Sequence, residues 1–161
     1  MKTEILCAEG ALTVRRFREG DLPELAALLA DPEVMRWLEP PFDRARAAEF
    51  LRTAGLSEPP LIYAAEEDGA FLGYVIFHRY GGEDAAELGW VLRRSAWGRG
   101  YAGRLTALLL SAAEGKWAEA VIECAPEQWT SARIAEKLGF REEGMADGCR
   151  IFRRAVTRDG T

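Results

Sequence analysis

Apolar and polar positions first fall into a pattern at Leu12-Thr-Val-Arg-Arg-Phe17, which alternates as a half-buried strand does. Asp21-Leu-Pro-Glu24 follows with the makings of a capping box and Pro23 in the first turn, predicting a helix to about Ala30. Asp31-Pro-Glu opens a second, short helix carrying Val34, Met35, Trp37 and Leu38, ended by Pro40-Pro41, where prolines cannot continue the backbone ladder. Asp43 can cap a third helix from Arg44 to about Ala54, with Ala47, Phe50 and Leu51 on one side. The pattern then turns to strands. Leu61 to Glu66 and Phe71 to His78 flank Asp68-Gly69, a two-residue hairpin signal, and Gly81-Gly-Glu-Asp separates them from a third strand, Glu87 to Leu92.

A glycine-bearing turn leads into a helix from about Tyr101 to Glu114, whose Leu105, Leu108, Leu109 and Ala112 keep helical spacing and whose end is marked by Gly115. Ala120 to Ala125 is the next strand, so the strand–helix–strand order makes it parallel to the Glu87 strand. A helix from about Thr130 to Leu138 closes at Gly139, and Phe140 to Gly144 with Cys149 to Val156 complete a hairpin. The expected class is α+β: a mixed, mostly antiparallel sheet flanked by helices. The chain of 161 residues shows no repeat or linker and reads as a single domain, 1–161, with a core over about 11–156 and frayed termini, the arginine-rich tail included.

Composition narrows the chemistry. A net charge of −5 argues against a general nucleic-acid binder. Apolar runs are too short for a membrane span, and Met-Lys-Thr-Glu-Ile lacks the n- and h-regions of a leader, so the expected location is cytoplasmic. Cys7, Cys124 and Cys149 lack metal-ligand spacing and there is one histidine, so no metal site is expected and reduced thiols are.

Against that acidic background, Arg93, Arg94, Arg99 and Arg104 cluster around Trp97-Gly-Arg-Gly-Tyr-Ala102. Gly98 and Gly100 accept positive φ and let backbone approach a ligand. The first-turn N–H groups of the following helix, with its dipole, then face an anion. A solvated basic face and a merely tight turn are the plainer readings. The third glycine of a dinucleotide fingerprint and the Gly-Lys-Ser/Thr of a P-loop are both missing.

The same stretch resembles the acyl-CoA pyrophosphate loop of the GNAT superfamily of N-acetyltransferases, Gln/Arg-x-x-Gly-x-Gly/Ala: Gly100 and Ala102 match, and Trp97 stands where Gln or Arg is usual. That departure is similar to the ribosomal-protein-alanine acetyltransferase branch. So are Leu12 to Phe17, Asp31 to Trp37, and Gln128-Trp-Thr-Ser131 with a helix ending in Leu-Gly-Phe140, Gln128 replacing the usual Asn.

The resemblance implies a splayed parallel strand pair at the cofactor site. Val91, Leu92 and Arg93 would contact the pantetheine arm of acetyl-CoA. Trp97, Gly98, Arg99, Gly100, Tyr101, Ala102, Gly103 and Arg104 would hold the pyrophosphate, with Gln128 and Ser131 beside it. It implies an acetyl-CoA-dependent N-acetyltransferase acting by direct attack of a primary amine, either a protein N-terminus or a small molecule, in a monomer or homodimer. Trp37 and Phe42 become candidate substrate contacts, with core packing as the plainer reading. An amine of pKa about 8 to 10 is mostly protonated at neutral pH and must lose a proton to react. Glu87, at the matching place on its strand, is the expected general base; the plainer reading is a strand-end carboxylate partnered by an arginine. A strand N–H near Leu92 would meet the developing oxyanion. Ala135 stands where many members have an acid tyrosine. His78 is either a proton carrier or structural, and Cys124 reads as inert core. The alternative function is a non-catalytic acyl-CoA-binding sensor.

Overall fold

The computed structural model describes residues 4–156. Its strands are Ile5–Glu9 (β1), Leu12–Arg15 (β2), Ile62–Glu67 (β3), Ala70–Arg79 (β4), Ala85–Leu92 (β5), Glu119–Cys124 (β6), Arg141–Ala146 (β7) and Cys149–Ala155 (β8). The helices are Leu22–Leu29 (α1), Arg44–Phe50 (α2), Tyr101–Ala113 (α3) and Trp129–Lys137 (α4). The strands form one sheet in the order β1-β2-β3-β4-β5-β6-β8-β7, antiparallel throughout except for β5 and β6. This is the expected α+β arrangement.

One face of the sheet packs Val75, Leu88, Ile122 and Phe152 under Leu105 and Leu109 of α3 and Ala132 and Ala135 of α4. The other packs Ile62, Phe71, Tyr74 and Val91 under Leu25 and Leu29 of α1, Ala47 of α2 and the loop residues Met35 and Phe42. Local signals hold in most places. Asp43 Oδ1 caps α2 by accepting from Arg46 N–H at 2.8 Å. Asp68 and Gly69 both take positive φ (52° and 81°), the requirement of the two-residue hairpin turn. After α4, Phe140 N–H donates to Ala135 O at 2.9 Å past Gly139 at φ 90°.

Four details differ from the pattern reading. β1 adds an edge strand before Leu12. The Asp31 helix is a string of turns: Met35 N–H reaches Asp31 O at 3.1 Å, but Leu38 N–H already shifts to Met35 O at 2.9 Å. Pro40-Pro41 leaves too few residues to repay helix nucleation. α2 ends in a wider turn, Leu51–Gly55, closed by Leu56 N–H to Leu51 O at 2.9 Å. Asp21 does not cap α1. Its carboxylate instead accepts from both terminal guanidinium nitrogens of Arg15 at 2.9 Å and from Arg18 N–H at 2.7 Å, a buried ion pair outcompeting the local cap. The tail beyond Val156 lies outside the described residues.

The feature that positions the site is a seam. β5 and β6 pair only at Ala85↔Glu119, Ala86↔Ala120 and Glu87↔Val121. Beyond Glu87, β5 stays with β4 as far as Leu92, and β6 stays with β8 as far as Cys124. The expected splayed parallel pair is therefore present. β4 carries a bulge between its partners for Ala65 and Glu66, leaving Leu72 as the extra residue, and Gly73 beside it faces Leu92. Bulges tighten strand twist, and this one lies at the level where β5 has left β6.

Candidate functional site

Arg93 N–H donates to Leu72 O at 2.8 Å, so strand alternation turns the N–H groups of Trp90 and Leu92 to the open edge of the seam and that of Val91 toward β4. Leu92 O on that edge accepts the indole N–H of Trp97 at 2.8 Å. Trp97 thus fastens the loop to the strand end while its ring stays half exposed.

Gly98 (φ 74°) and Gly100 (φ 82°) are both left-handed, and a Cβ on either, or on Gly103, would meet nothing within 4 Å. α3 begins with Arg104 N–H on Gly100 O at 3.2 Å. The six N–H groups from Gly98 to Gly103 have no acceptor among the described residues, and no side chain caps the helix. An anion of phosphate size suits this place: bare N–H groups, the positive end of a 13-residue helix and no side chain in the way.

The arginines mostly serve the protein. Arg94 binds Asp31 at 2.8 Å, Arg93 meets Ser95 at 3.0 Å and Glu24 at 3.8 Å, and Arg104 lies over the Tyr101 ring, 3.7 Å from Glu67. Tyr101 is buried and its hydroxyl donates to Glu67, which with burial raises its pKa; Arg99 stands beside that hydroxyl and opposes the rise. Ala102 O accepts the Thr106 hydroxyl at 2.7 Å. Across the seam, Gln128 Oε1 accepts Ala125 N–H at 2.7 Å, so its carbonyl closes the end of β6. Ser131 is half-buried in the first turn of α4, and Ala135 is fully buried one turn on.

On the α1–α2 face, a half-open cleft of about 260 Å³ reaches down to Glu87. Phe42, Phe50 and Tyr74 wall it, and their rings stack edgewise or tilted at centroid distances of 5.9 and 5.7 Å. Trp37 does not line it, standing outside with the Arg36 guanidinium 4.7 Å from its ring. Glu87 faces His78 across the β4–β5 ladder, with Nε2 and Oε1 3.6 Å apart. His78 Nδ1 lies 2.8 Å from Arg79 O, so a ring donating there offers Nε2–H to Glu87 only as the imidazolium. Burial raises the Glu87 pKa, the charge of His78 lowers it, and that of Glu123 raises it. Glu123 lies on β6 on the same face, where it accepts the Tyr80 hydroxyl at 2.6 Å and raises that tyrosine's pKa.

The sequence thus led to Glu87, Phe42 and the loop. The Glu87–His78 pairing and the Tyr80–Glu123 bond were not foreseen, although the four-residue break Gly81 to Asp84 between antiparallel strands already sets His78 opposite Glu87. Among the described residues no cluster of His, Cys, Asp and Glu could hold a metal ion, and no helix is long and apolar enough to cross a membrane.

Comparison with known proteins bears on this arrangement. The family described as acetyltransferase (GNAT) domain matches residues 11–141. The uncharacterized N-acetyltransferase YnaD of Bacillus subtilis is 26% identical over 142 residues, spanning 86% of this chain and 84% of its own. A GNAT-family acetyltransferase structure from Bacillus anthracis superposes with a TM-score of 0.82 at 22% identity, covering 93% of this chain and 98% of the other. RimL, the ribosomal L7/L12 alpha-N-protein acetyltransferase in complex with coenzyme A, does so with a TM-score of 0.80 at 21% identity, covering 94% and 98%. The last two establish a shared fold.

Proposed function

The chain belongs to the acetyltransferase (GNAT) domain family, as an N-acetyltransferase with acetyl-CoA as acetyl donor, and on that premise we propose that its acceptor is a primary amine that attacks directly, with Glu87 as general base. The observation that carries the reading is the position of Glu87. It is the last β5 residue paired to β6, it stands at the mouth of the seam, and it looks into the cleft.

Acetyl-CoA, when bound, supplies an activated acyl carbon. The bare N–H groups of Gly98 to Gly103 suit its pyrophosphate, and the open edge of β5 suits its pantetheine arm. An amine entering the cleft arrives mostly as ammonium. Glu87, its pKa raised by burial, takes the proton directly or through a water, and His78 steadies the carboxylate charge. The Leu92 N–H, turned to the open edge, is the donor for negative charge developing on the carbonyl oxygen. Ala135 offers no hydroxyl from α4, and none is required: a thiolate with a pKa of about 8.5 on the cysteine scale leaves unaided. Three unpaired cysteines suit the reducing cytoplasm in which we place the reaction.

Isothermal titration with acetyl-CoA and free-thiol release with an amine panel test this together. Wild type should bind and turn over. Gly100→Glu, which puts bulk and negative charge among the N–H groups, should not bind. Glu87→Gln should bind as wild type and lose about 10²- to 10⁴-fold in kcat. Binding by Gly100→Glu would remove the pyrophosphate assignment. Binding without turnover in wild type would favour a sensor.

A further inference from the structure

Resting on the acetyltransferase reading, we propose that the acceptor is a primary amine with one positive charge, a compact apolar body and no carboxylate. A small aryl- or branched-alkylamine and the first residue of a peptide beginning with an apolar side chain are its two possible sources.

The argument is one of charge and volume in the cleft. Apart from Glu39, His78, Glu87 and the Tyr74 hydroxyl, its lining is aliphatic or aromatic, with Leu29, Met35, Phe42, Phe50, Leu61 and Ile76 making most of the wall. Its roughly 260 Å³ is just below the usual range of small-molecule sites, room for one ring or one branched chain beside the amine.

The lining holds two carboxylates. Glu39 is paired with Arg46 at 2.6 Å at the exposed rim, so the carboxylate without an arginine partner is Glu87, at the floor. A second ammonium held inside the cleft, as in a polyamine, would lie largely against hydrocarbon without a counter-charge, and burying an unpaired charge is strongly unfavourable. A carboxylate on the acceptor fares no better. The lining holds no lysine or arginine, and Arg46, stacked over the Phe42 ring at 4.1 Å, already serves Glu39. A free amino acid would bring its carboxylate beside Glu87, like against like.

The test is kcat/KM by free-thiol release with saturating acetyl-CoA, for phenethylamine, phenylalaninamide, a tripeptide amide beginning with Phe, free phenylalanine and spermidine. The first three, or one of them, should exceed the last two by about a hundredfold or more. The ranking within the three tells small amine from peptide. Leu61→Glu places a second carboxylate at an exposed rim position. It should fold as wild type and raise spermidine kcat/KM at least tenfold while lowering none of the binding to acetyl-CoA. Spermidine or free phenylalanine as the best wild-type substrate would overturn the acceptor class and leave the enzyme reading standing. Acetyl-CoA binding with turnover of none of the five would overturn both.

Discussion

Gly73 gives a sharp test of how the seam is built. It sits in β4 at φ 148°, a conformation open to glycine and costly for other residues, and faces Leu92 across the ladder. An alanine Cβ there would lie 2.1 Å from Val91 O and 2.8 Å from the Leu92 Cα, both backbone atoms that cannot swing aside. The dihedral alone costs about 1–3 kcal/mol. Relieving the contact means moving β5 off β4, at about 1 kcal/mol for each ladder bond weakened. Gly73→Ala should therefore cost about 3–5 kcal/mol, a large part of a typical 5–15 kcal/mol. Gly103→Ala makes the same chemical change inside α3, where a Cβ meets nothing within 4 Å. It should gain about 0.5–1 kcal/mol from helix propensity. Urea denaturation followed by far-UV circular dichroism measures both. A loss under about 1 kcal/mol for Gly73→Ala, or equal shifts for the two variants, would refute the steric account.

Three further outcomes follow from the charges. A general base works deprotonated, so kcat/KM should rise with pH through the Glu87 pKa. His78→Gln removes an influence that lowers that pKa and should move the rising limb to higher pH, whereas Glu123→Gln removes one that raises it and should move the limb lower; a limb indifferent to both rules Glu87 out. Arg15→Met strands the Asp21 and Glu66 carboxylates and should cost about 3–5 kcal/mol by urea titration, an unchanged midpoint being the contrary result. Burial alone would raise the Asp21 carboxyl, but Arg15 and the Arg18 N–H outweigh it and hold its pKa below the ordinary value. Its stabilisation is then complete above an unfolded pKa of about 3.9 and is lost as pH falls through the folded value. The stability gap between wild type and Asp21→Asn, flat above about pH 5, should narrow toward pH 2.

How far the sequence foretold the molecule depended on whether an element carries its own signal. The Asp68-Gly69 turn, the Asp43 cap and the Gly139 stop are satisfied by atoms a few residues away, and each forms as its residues dictate. Ile5-Leu-Cys-Ala-Glu9 has no clear alternation, and an edge strand exists because β2 is there to pair with it. Asp21 carries a valid cap signal that loses to Arg15, a partner brought close by packing of β2 against the loop before α1. At the site, the loop glycines were legible because their backbone freedom belongs to them. Trp97 closing on Leu92 O and Gln128 closing on Ala125 N–H were not, since a polar side chain's partner depends on where its loop folds back. The cleft above Glu87 was least legible of all, being assembled from α1, the loop after it, α2, β3, β4 and β5.

The seam also bears on the economy of the whole fold. Within the sheet, three residue pairs join the five strands on one side to the three on the other, and α3 is the single covalent bridge between β5 and β6. A molecule lodged in the gap, touching β5 on one lip and the loop and α4 on the others, becomes a further fastening between the halves. Because it would favour the folded chain alone, a hundredfold excess over its dissociation constant adds about 2.7 kcal/mol to folding. The donor of the reaction would then double as a member of the scaffold, and a cell short of it would hold a less durable enzyme as well as a slower one.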